Sequence, residues 1–288
     1  MHNQGITIHN PARDSGEREF AFNADNFKFI ADLVYKKTGI VLAQHKREMV
    51  YGRLVRRLRA LKLDSFSTYC NYLQSSKGED EISQLINAIT TNLTRFFREE
   101  HHFDHLHQVM RTATTDGEPG KRIRVWSAAC SSGMEPYSIA MTLKSAISGI
   151  DTHDVKILAT DIDSNMLRTG SAGSYAIEEY ENVPEKYIRY VYRNQEAGKI
   201  EMDESLKKLI SFKHLNLLED WPMRGPFDAV FCRNVVIYFD KSTKEKLFDR
   251  LADLLLPGGW LYIGHSENLH NLTDRFVTAG RTIYRRIT

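Results

Sequence analysis

The sequence predicts a chain of two parts, an all-α segment followed by an α/β domain on a mainly parallel sheet. Three patterns carry that expectation. From Asn23 to about Phe103, apolar residues recur at three- and four-residue spacings, among them Phe27, Ile30, Leu33, Val34, Leu54, Val55, Leu58 and Leu61. Beyond a polar loop containing Gly117, Pro119 and Gly120, short strand-like runs alternate with helical ones, the signature of parallel strands covered by helices on both faces. Between residues 183 and 215 the alternation breaks, which reads as a small β-rich insertion.

Taken in order, residues 1–22 are polar and aperiodic and read as a flexible tail. Residues 23–92 form the helical unit; Gly39 stops its first helix, and Leu63-Asp64-Ser65 is a helix stop followed by an N-cap. Residues 93–120 supply a linking helix and loop. Residues 121–288 form the α/β domain, with strands expected at 123–127, 155–160, 227–232 and 260–264. Helices are expected near 135–146, 165–171 and 243–255. Within the insertion, a short helix around 184–192 precedes Lys199–Met202 and then 206–215.

Composition narrows the class. The 288 residues are 42% hydrophobic, 26% charged and 10% aromatic, ordinary for a globular protein with a sizeable core. No apolar run approaches the ~20 residues of a membrane helix, and the N-terminus lacks a signal-peptide core. Cys70, Cys130 and Cys232 are odd in number and far apart, so free thiols in a reducing cytoplasm are expected. A net charge of +2 does not point to nucleic acid; any electrostatic message must be local. Residues 46–62 carry one. Lys46, Arg47, Arg53, Arg56, Arg57, Arg59 and Lys62 meet only Glu48 there, opposite an apolar stripe. A charge run is usually a solvated face, but this density in a balanced chain favours an anionic macromolecular partner.

The chemistry-bearing stretches follow. Residues 125–140, Val-Trp-Ser-Ala-Ala-Cys-Ser-Ser-Gly-Met-Glu-Pro-Tyr-Ser-Ile-Ala, read as a buried strand, a turn of small residues and a helix N-terminus. Open α/β sheets hold nucleotide-like cofactors there. The turn offers one glycine, Gly133, and an acid, Glu135, instead of three spaced glycines for a pyrophosphate. Hydroxyls and a positive charge suit it better than phosphate, which favours S-adenosylmethionine over NAD. On this reading Gly133 lets the backbone approach the cofactor, and Glu135 faces its sulfonium or amino end. Asp161 ends the second strand and offers two acceptor oxygens to ribose hydroxyls, whereas Asp163 reads as an N-cap.

Asn234, after the strand ending at Cys232, approaches the methyl donor. Tyr238 either meets a substrate group or is a core aromatic with a satisfied hydroxyl. In Thr90-Thr-Asn-Leu-Thr-Arg-Phe-Phe-Arg98-Glu, Arg95 and Arg98 flank two phenylalanines, which fits an amphipathic helix or a segment closing over a site. His101 and His105 share a helix face but lack a third ligand, so no metal site is expected. Cys130 has no base beside it and reads as a small turn residue rather than a nucleophile.

Four of these motifs, 91–99, 127–138, 231–239 and Gly264-His-Ser-Glu-Asn268, closely resemble the CheR family of chemotaxis receptor methyltransferases. The resemblance covers nearly the whole chain from Asn23. It implies a Rossmann-like class I S-adenosylmethionine methyltransferase domain with a small antiparallel β-subdomain, preceded by an all-α receptor-recognition domain. The implied activity is methyl esterification of glutamate side chains on cytoplasmic helices of chemoreceptors, with S-adenosylhomocysteine as product. By motif position, Asn92, Thr94, Arg98, Glu135 and Asp161 line the cofactor site. Asn216, Leu217, Arg233 and Asn234 complete it, the first two on the resemblance alone. Arg98 and Tyr238 are nearest the methyl group, and Arg53, Arg56, Arg57 and Arg59 are the substrate-binding face. Two departures stand out. Many relatives have Glu where Met134 stands, and the turn 193–198 is shorter than in relatives that dock a receptor's C-terminal peptide, which counts against such docking.

The chemistry agrees. A glutamate is already a carboxylate at neutral pH, so no general base is required, and Arg98 and Tyr238 are expected to orient it. Two alternatives compete, a nucleic-acid methyltransferase that keeps the cofactor and a non-enzymatic adaptor that senses S-adenosylmethionine or a nucleotide. A nucleic-acid methyltransferase acting on bases favours Asn/Asp-Pro-Pro-aromatic where this chain has Arg233-Asn-Val-Val. A degenerate sensing adaptor is expected to have lost Arg98, Asp161 or Tyr238, and all three are present.

Overall fold

A computed structural model describes residues 18–114 and 120–287. Most of the expected tail and positions 115–119 of the expected loop lie outside the described residues. The helical unit begins with α1 (Ala24–Thr38), started by a capping box in which Asn23 and Asn26 each accept the other's backbone N–H, and closed by Gly39 at φ 70°. Then come α2 (Arg47–Leu61), α3 (Phe66–Gln74), capped by Ser65, and α4 (Glu79–Ile89). Ile30, Val50, Leu54, Leu58, Phe66, Tyr69 and Leu85 close their common core.

The sequence pattern overstates helix after Ile89. Residues 90–100 run as loop and turns, and the next helix, α5, spans His101–Ala113. The reason is competition for the backbone by polar side chains. Arg53 donates to the carbonyls of Ile89 and Thr90, while the side chains of Thr90 and Asn92 are drawn to Asp163 at 2.9 and 2.7 Å. Phe97 and Glu99 then take left-handed φ values of 51° and 60°.

The α/β part alternates β1 (Arg122–Ala128), α6 (Met134–Ala146), β2 (Asp154–Asp161) and α7 (Ser164–Ala172). A short β3 (Ser174–Ala176), β4 (Val191–Asn194), β5 (Lys199–Met202) and α8 (Glu204–Lys207) follow. The chain finishes with β6 (Ile210–His214), β7 (Phe227–Cys232), α9 (Lys241–Leu254), β8 (Leu255–Ile263), β9 (Phe276–Gly280) and β10 (Ile283–Arg286). The main sheet has the order β6-β2-β1-β7-β8-β10-β9, parallel except where β10 runs antiparallel to β8 and β9. Phe103, Tyr137, Ile139, Phe231 and Tyr262 fill one face, and Trp126, Val230, Phe248, Leu251 and Leu261 the other. Burial on both faces explains why the central strands read as continuous apolar runs.

The insertion differs from its expected bounds. The small antiparallel sheet, β3-β5-β4, starts at Ser174 and ends at Met202. Part of the 206–215 stretch instead forms β6, the edge of the main sheet, in parallel register with β2 (Ile157 opposite Ile210). As an edge strand with only Ile210 buried, β6 lacks the apolar run of its neighbours. The expected helix at 184–192 is a 3₁₀ turn, Glu185–Tyr190, leading into β4. No helix among the described residues is long and apolar enough to cross a membrane.

Two arginines of the basic helix act inside the protein. Arg57 forms a two-point pair with Glu81 (2.9 and 2.6 Å), whose carboxylate is 4% exposed and also accepts the Tyr69 hydroxyl at 2.9 Å. Arg53 is spent on the end of α4. Both were expected on the docking face; the side chains turn toward the protein because the buried Glu81 carboxylate would otherwise lack a counter-charge and the carbonyls at the end of α4 a donor. Arg57→Ala is therefore expected to cost about 2 kcal/mol in urea unfolding, whereas Arg56→Ala, at an exposed position, stays within about 0.5 kcal/mol.

Candidate active site

From β1 the chain moves outward to β2 and β6, then returns to place β7 on the other side of β1. The carboxyl ends of β1 and β7 therefore flank the point where strand order reverses, where ligands settle in such sheets. A cleft of about 1130 Å³, counting the space open at its mouth, lies there. Its floor comes from the α/β part. Its roof comes from the helical unit (Ile40, Leu42, Lys46, Met49) and from residues 90–94 and 98. Every residue assigned to the cofactor by motif position, together with Tyr238, lines it, whereas Gly133 does not.

Asp161 sits at the end of β2 with both oxygens engaged by backbone: Ser131 N at 2.7 Å and Asp163 N at 2.8 Å. Burial pushes its carboxyl up to about 6, with the Asp163 and Ser131 N–H groups pulling the other way. Each oxygen keeps a lone pair, enough for two hydroxyl donors. Asp163 is the N-cap the sequence suggested, accepting Asn165 N and Met166 N, but it does more. Its second oxygen accepts Thr90 and Asn92, which fastens the roof to α7, and Ser131 Oγ donates to Asn92 O at 3.0 Å.

Three sequence expectations change in detail. The missing side chain of Gly133, at φ 89°, makes room for Gly170 and the Phe212 ring, so it serves the packing of α7 rather than ligand approach. Met134 packs into the core and does not line the cleft, so this departure from relatives adds nothing to the pocket wall. Glu135 lines the cleft but its charge is already matched: Arg233 reaches it at 3.0 Å and Ser127 Oγ at 2.7 Å. Burial pushes its carboxyl up while Arg233 and Ser127 pull it down.

Arg233 is 5% exposed and ties the floor to the roof, donating also to Arg98 O and lying 3.5 Å from Glu99. Glu99, quoted in the sequence motif but given no role there, is pushed up by burial. Arg233 and the His265 and Asn234 donors outweigh that push and leave its carboxyl below the ordinary range. Asn216 spends its amide on Lys37 O (2.7 Å) and Glu219 (3.1 Å), so it joins the two parts of the chain beside the cleft. Leu217 is held through its carbonyl by Arg250 at 2.9 Å.

Along the cleft wall, Arg98 is steadied by Leu93 O at 2.9 Å, and Lys46 Nζ lies 5.4 Å from the centre of the Tyr238 ring. Val41 N donates to Tyr238 O at 2.9 Å. Tyr238 is half-buried, and among the described residues its hydroxyl makes no hydrogen bond, contrary to a satisfied core aromatic. Arg56 is exposed and Arg59 pairs with Glu19 at the surface. Away from the cleft, His105 bonds the Tyr262 hydroxyl at 3.0 Å. Cys130 lines the cleft, and burial pushes its thiol up.

A doubly wound sheet with a buried acid after its second strand and a glycine-poor loop after its first defines a class I S-adenosylmethionine-dependent methyltransferase. Comparison with known proteins is consistent with that class. Residues 92–285 match the family model "CheR methyltransferase, SAM binding domain", and residues 25–90 match "CheR methyltransferase, all-alpha domain". The chain is 45% identical over 271 residues to the chemotaxis protein methyltransferase of Salmonella typhimurium, covering 93% of this chain and 92% of that one. It is 45% identical to that of Escherichia coli (92% and 91% covered) and 42% identical to chemotaxis protein methyltransferase 2 of Pseudomonas aeruginosa (95% and 97%). The chain belongs to the CheR methyltransferase family, and S-adenosylmethionine is its cofactor. The residues present fit that group, since the half-engaged Asp161 carboxylate is a ready acceptor for a hydroxyl pair.

The fold holds Asp161 above its ordinary value of 3.8, so its protonation contributes stability at low pH that is lost as pH rises through about 6. Hydroxyl donors favour the charged form, so cofactor binding runs the other way. S-adenosylmethionine affinity measured by calorimetry is expected to weaken as pH falls through about 6, and Asp161→Ala to lose about tenfold or more at neutral pH.

Proposed function

We propose that this chain transfers the methyl group of S-adenosylmethionine to glutamate side chains on helical cytoplasmic segments of chemoreceptors, forming methyl esters that tune sensory adaptation. The observation that carries the reading is that Arg98, Lys46 and Tyr238 line the same cleft as Asp161, with Lys46 beside the Tyr238 ring. The names of the relatives, chemotaxis protein methyltransferases, support a chemotaxis protein as acceptor.

The bound cofactor supplies an electrophilic methyl group on a sulfonium. Everything else is placement. A glutamate has a reference pKa of about 4.3 and arrives ionised, so no proton has to be removed. Holding one carboxylate oxygen in line is worth roughly 7–11 kcal/mol in favourable cases. Arg98, fixed through Leu93 O, presents its remaining donors to the carboxylate, and the Tyr238 hydroxyl takes a second contact. A full two-point ion pair would dull the nucleophile, so Arg98 positions it without neutralising it.

In this reading Asn92, Thr94, Glu135, Asp161, Asn216, Leu217, Arg233 and Asn234 surround the cofactor. Residues 23–92 recognise the receptor, residues 93–120 link, and residues 121–288 carry the transfer. The exposed part of the basic face, Arg56 and Arg59, docks an acidic receptor surface, while Arg53 and Arg57 support it from inside. The tight turn at 195–198, where Asn194 Oδ1 accepts Ala197 N at 3.1 Å, leaves a receptor-peptide tether outside the proposal.

Radiolabelled methyl transfer to receptor-containing membranes, with release of base-labile methanol, tests the reading; label on RNA, or label resistant to base, contradicts it. Tyr238→Phe is expected to lower kcat about tenfold with cofactor affinity unchanged. Reversing Arg56 and Arg59 to Glu is expected to raise KM for receptor and flatten the salt dependence of the rate.

A further inference from the structure

Glu267 lies four residues beyond β8, does not line the cleft, and is buried. Its carboxylate accepts four backbone N–H groups: Gly264 (2.5 Å) and Asn234 (2.9 Å) on one oxygen, Val236 (3.0 Å) and Ile237 (3.3 Å) on the other. Burial pushes this carboxyl up, and the opposing pull comes from those N–H groups. Three of the four donors belong to the turn that leaves β7. Asn234 holds a left-handed φ of 58° there, and the 3₁₀ turn Val236–Tyr238 starts two residues later. Orphan N–H groups at the start of a helical turn are ordinarily capped by a neighbouring side chain. Here the cap arrives from the loop after a different strand. Gly264 adds a second restraint, because a side chain at that position would run into the Asn234 amide.

The ends of β7 and β8 are thus clamped together through one carboxylate, and the clamped turn carries Tyr238. From the roof side, Tyr238 is fixed by Val41 N on its carbonyl and Lys46 over its ring. From the floor side, the capping contacts to its turn are those of Glu267. We propose that Glu267 is a positioning residue for methyl transfer, setting the Asn234–Tyr238 turn so that the Tyr238 hydroxyl faces the acceptor carboxylate. This rests on the role given to Tyr238 above. Glu267 touches neither substrate nor cofactor in the proposal; it acts through the turn.

A double-mutant cycle on the full chain tests it, with receptor methylation, cofactor calorimetry and thermal unfolding on each protein. Glutamine keeps the shape of Glu267 but points an N–H₂ at backbone donors, so two of the four contacts are lost. Glu267→Gln is expected to lower kcat about tenfold where Tyr238 is present and less than about twofold in Tyr238→Phe. Cofactor affinity should stay within about threefold, and the drop in Tm should be the same in both backgrounds. Equal loss of kcat in both backgrounds, or a loss confined to cofactor affinity, overturns the proposal. If the glutamine variant does not fold, Glu267→Asp, which keeps the charge and shortens the reach, enters the same cycle with the same expected coupling. Tyr238→Phe without loss of rate contradicts the role of Tyr238 itself; loss in Tyr238→Phe without coupling contradicts only Glu267.

Discussion

Two carboxyl groups at the end of β2 organise the site. Asp161 and Asp163 are two residues apart and both buried, and each is satisfied by groups from other segments. Asp161 fixes the loop after β1 through Ser131 N and fixes Asp163 through its backbone. Asp163 caps α7 with one oxygen and holds Thr90 and Asn92 with the other. Cofactor loop, helix and roof are therefore oriented from one short stretch of chain. A buried polar group without partners is costly, so once these contacts form they resist any rearrangement that leaves one of them unmade.

Around that stretch the backbone is under local strain. Phe97, Glu99, Ala129, Ser131 and Asn234 all hold left-handed φ values and all lie in segments that build the cleft or its edge. Such conformations persist where the surroundings over-determine them. The surroundings here are polar: Arg233 between Glu135, Glu99 and Arg98 O, and Glu267 beneath the turn after β7. A reaction that needs placement more than proton transfer is served by a site of this kind, in which rigid turns do what a general base does elsewhere.

Much of this was legible in the sequence. Strand-helix alternation revealed the sheet, the loop after β1 and Asp161 revealed the cofactor, and the motif order revealed the family. What escaped has common physical causes. The loop at 90–100 keeps a helical apolar spacing but loses its helix to side-chain hydrogen bonds from Arg53, Thr90 and Asn92. β6 is an edge strand, so burial left a weak imprint on its composition. Arg57 looks like part of a solvated face until Glu81, 24 residues later, is found beneath it. Glu99 and Glu267 act by contacts with residues far away in sequence, Arg233 and Asn234, which no local pattern announces. Both lay in quoted motifs, and for Glu267 an acid after a strand end was the available signal.

The helical unit and the sheet build the cofactor cleft jointly, joined through Asp161 and Asp163. Amide hydrogen exchange on the full chain, with and without S-adenosylhomocysteine, is the decisive measurement. Ligand is expected to slow exchange both at 129–135 on the floor and at 90–98 in the roof, and Asp163→Ala to abolish the roof protection while part of the floor protection survives. Protection confined to the floor in the unmutated chain, with 90–98 exchanging as fast as before, contradicts a jointly built cleft.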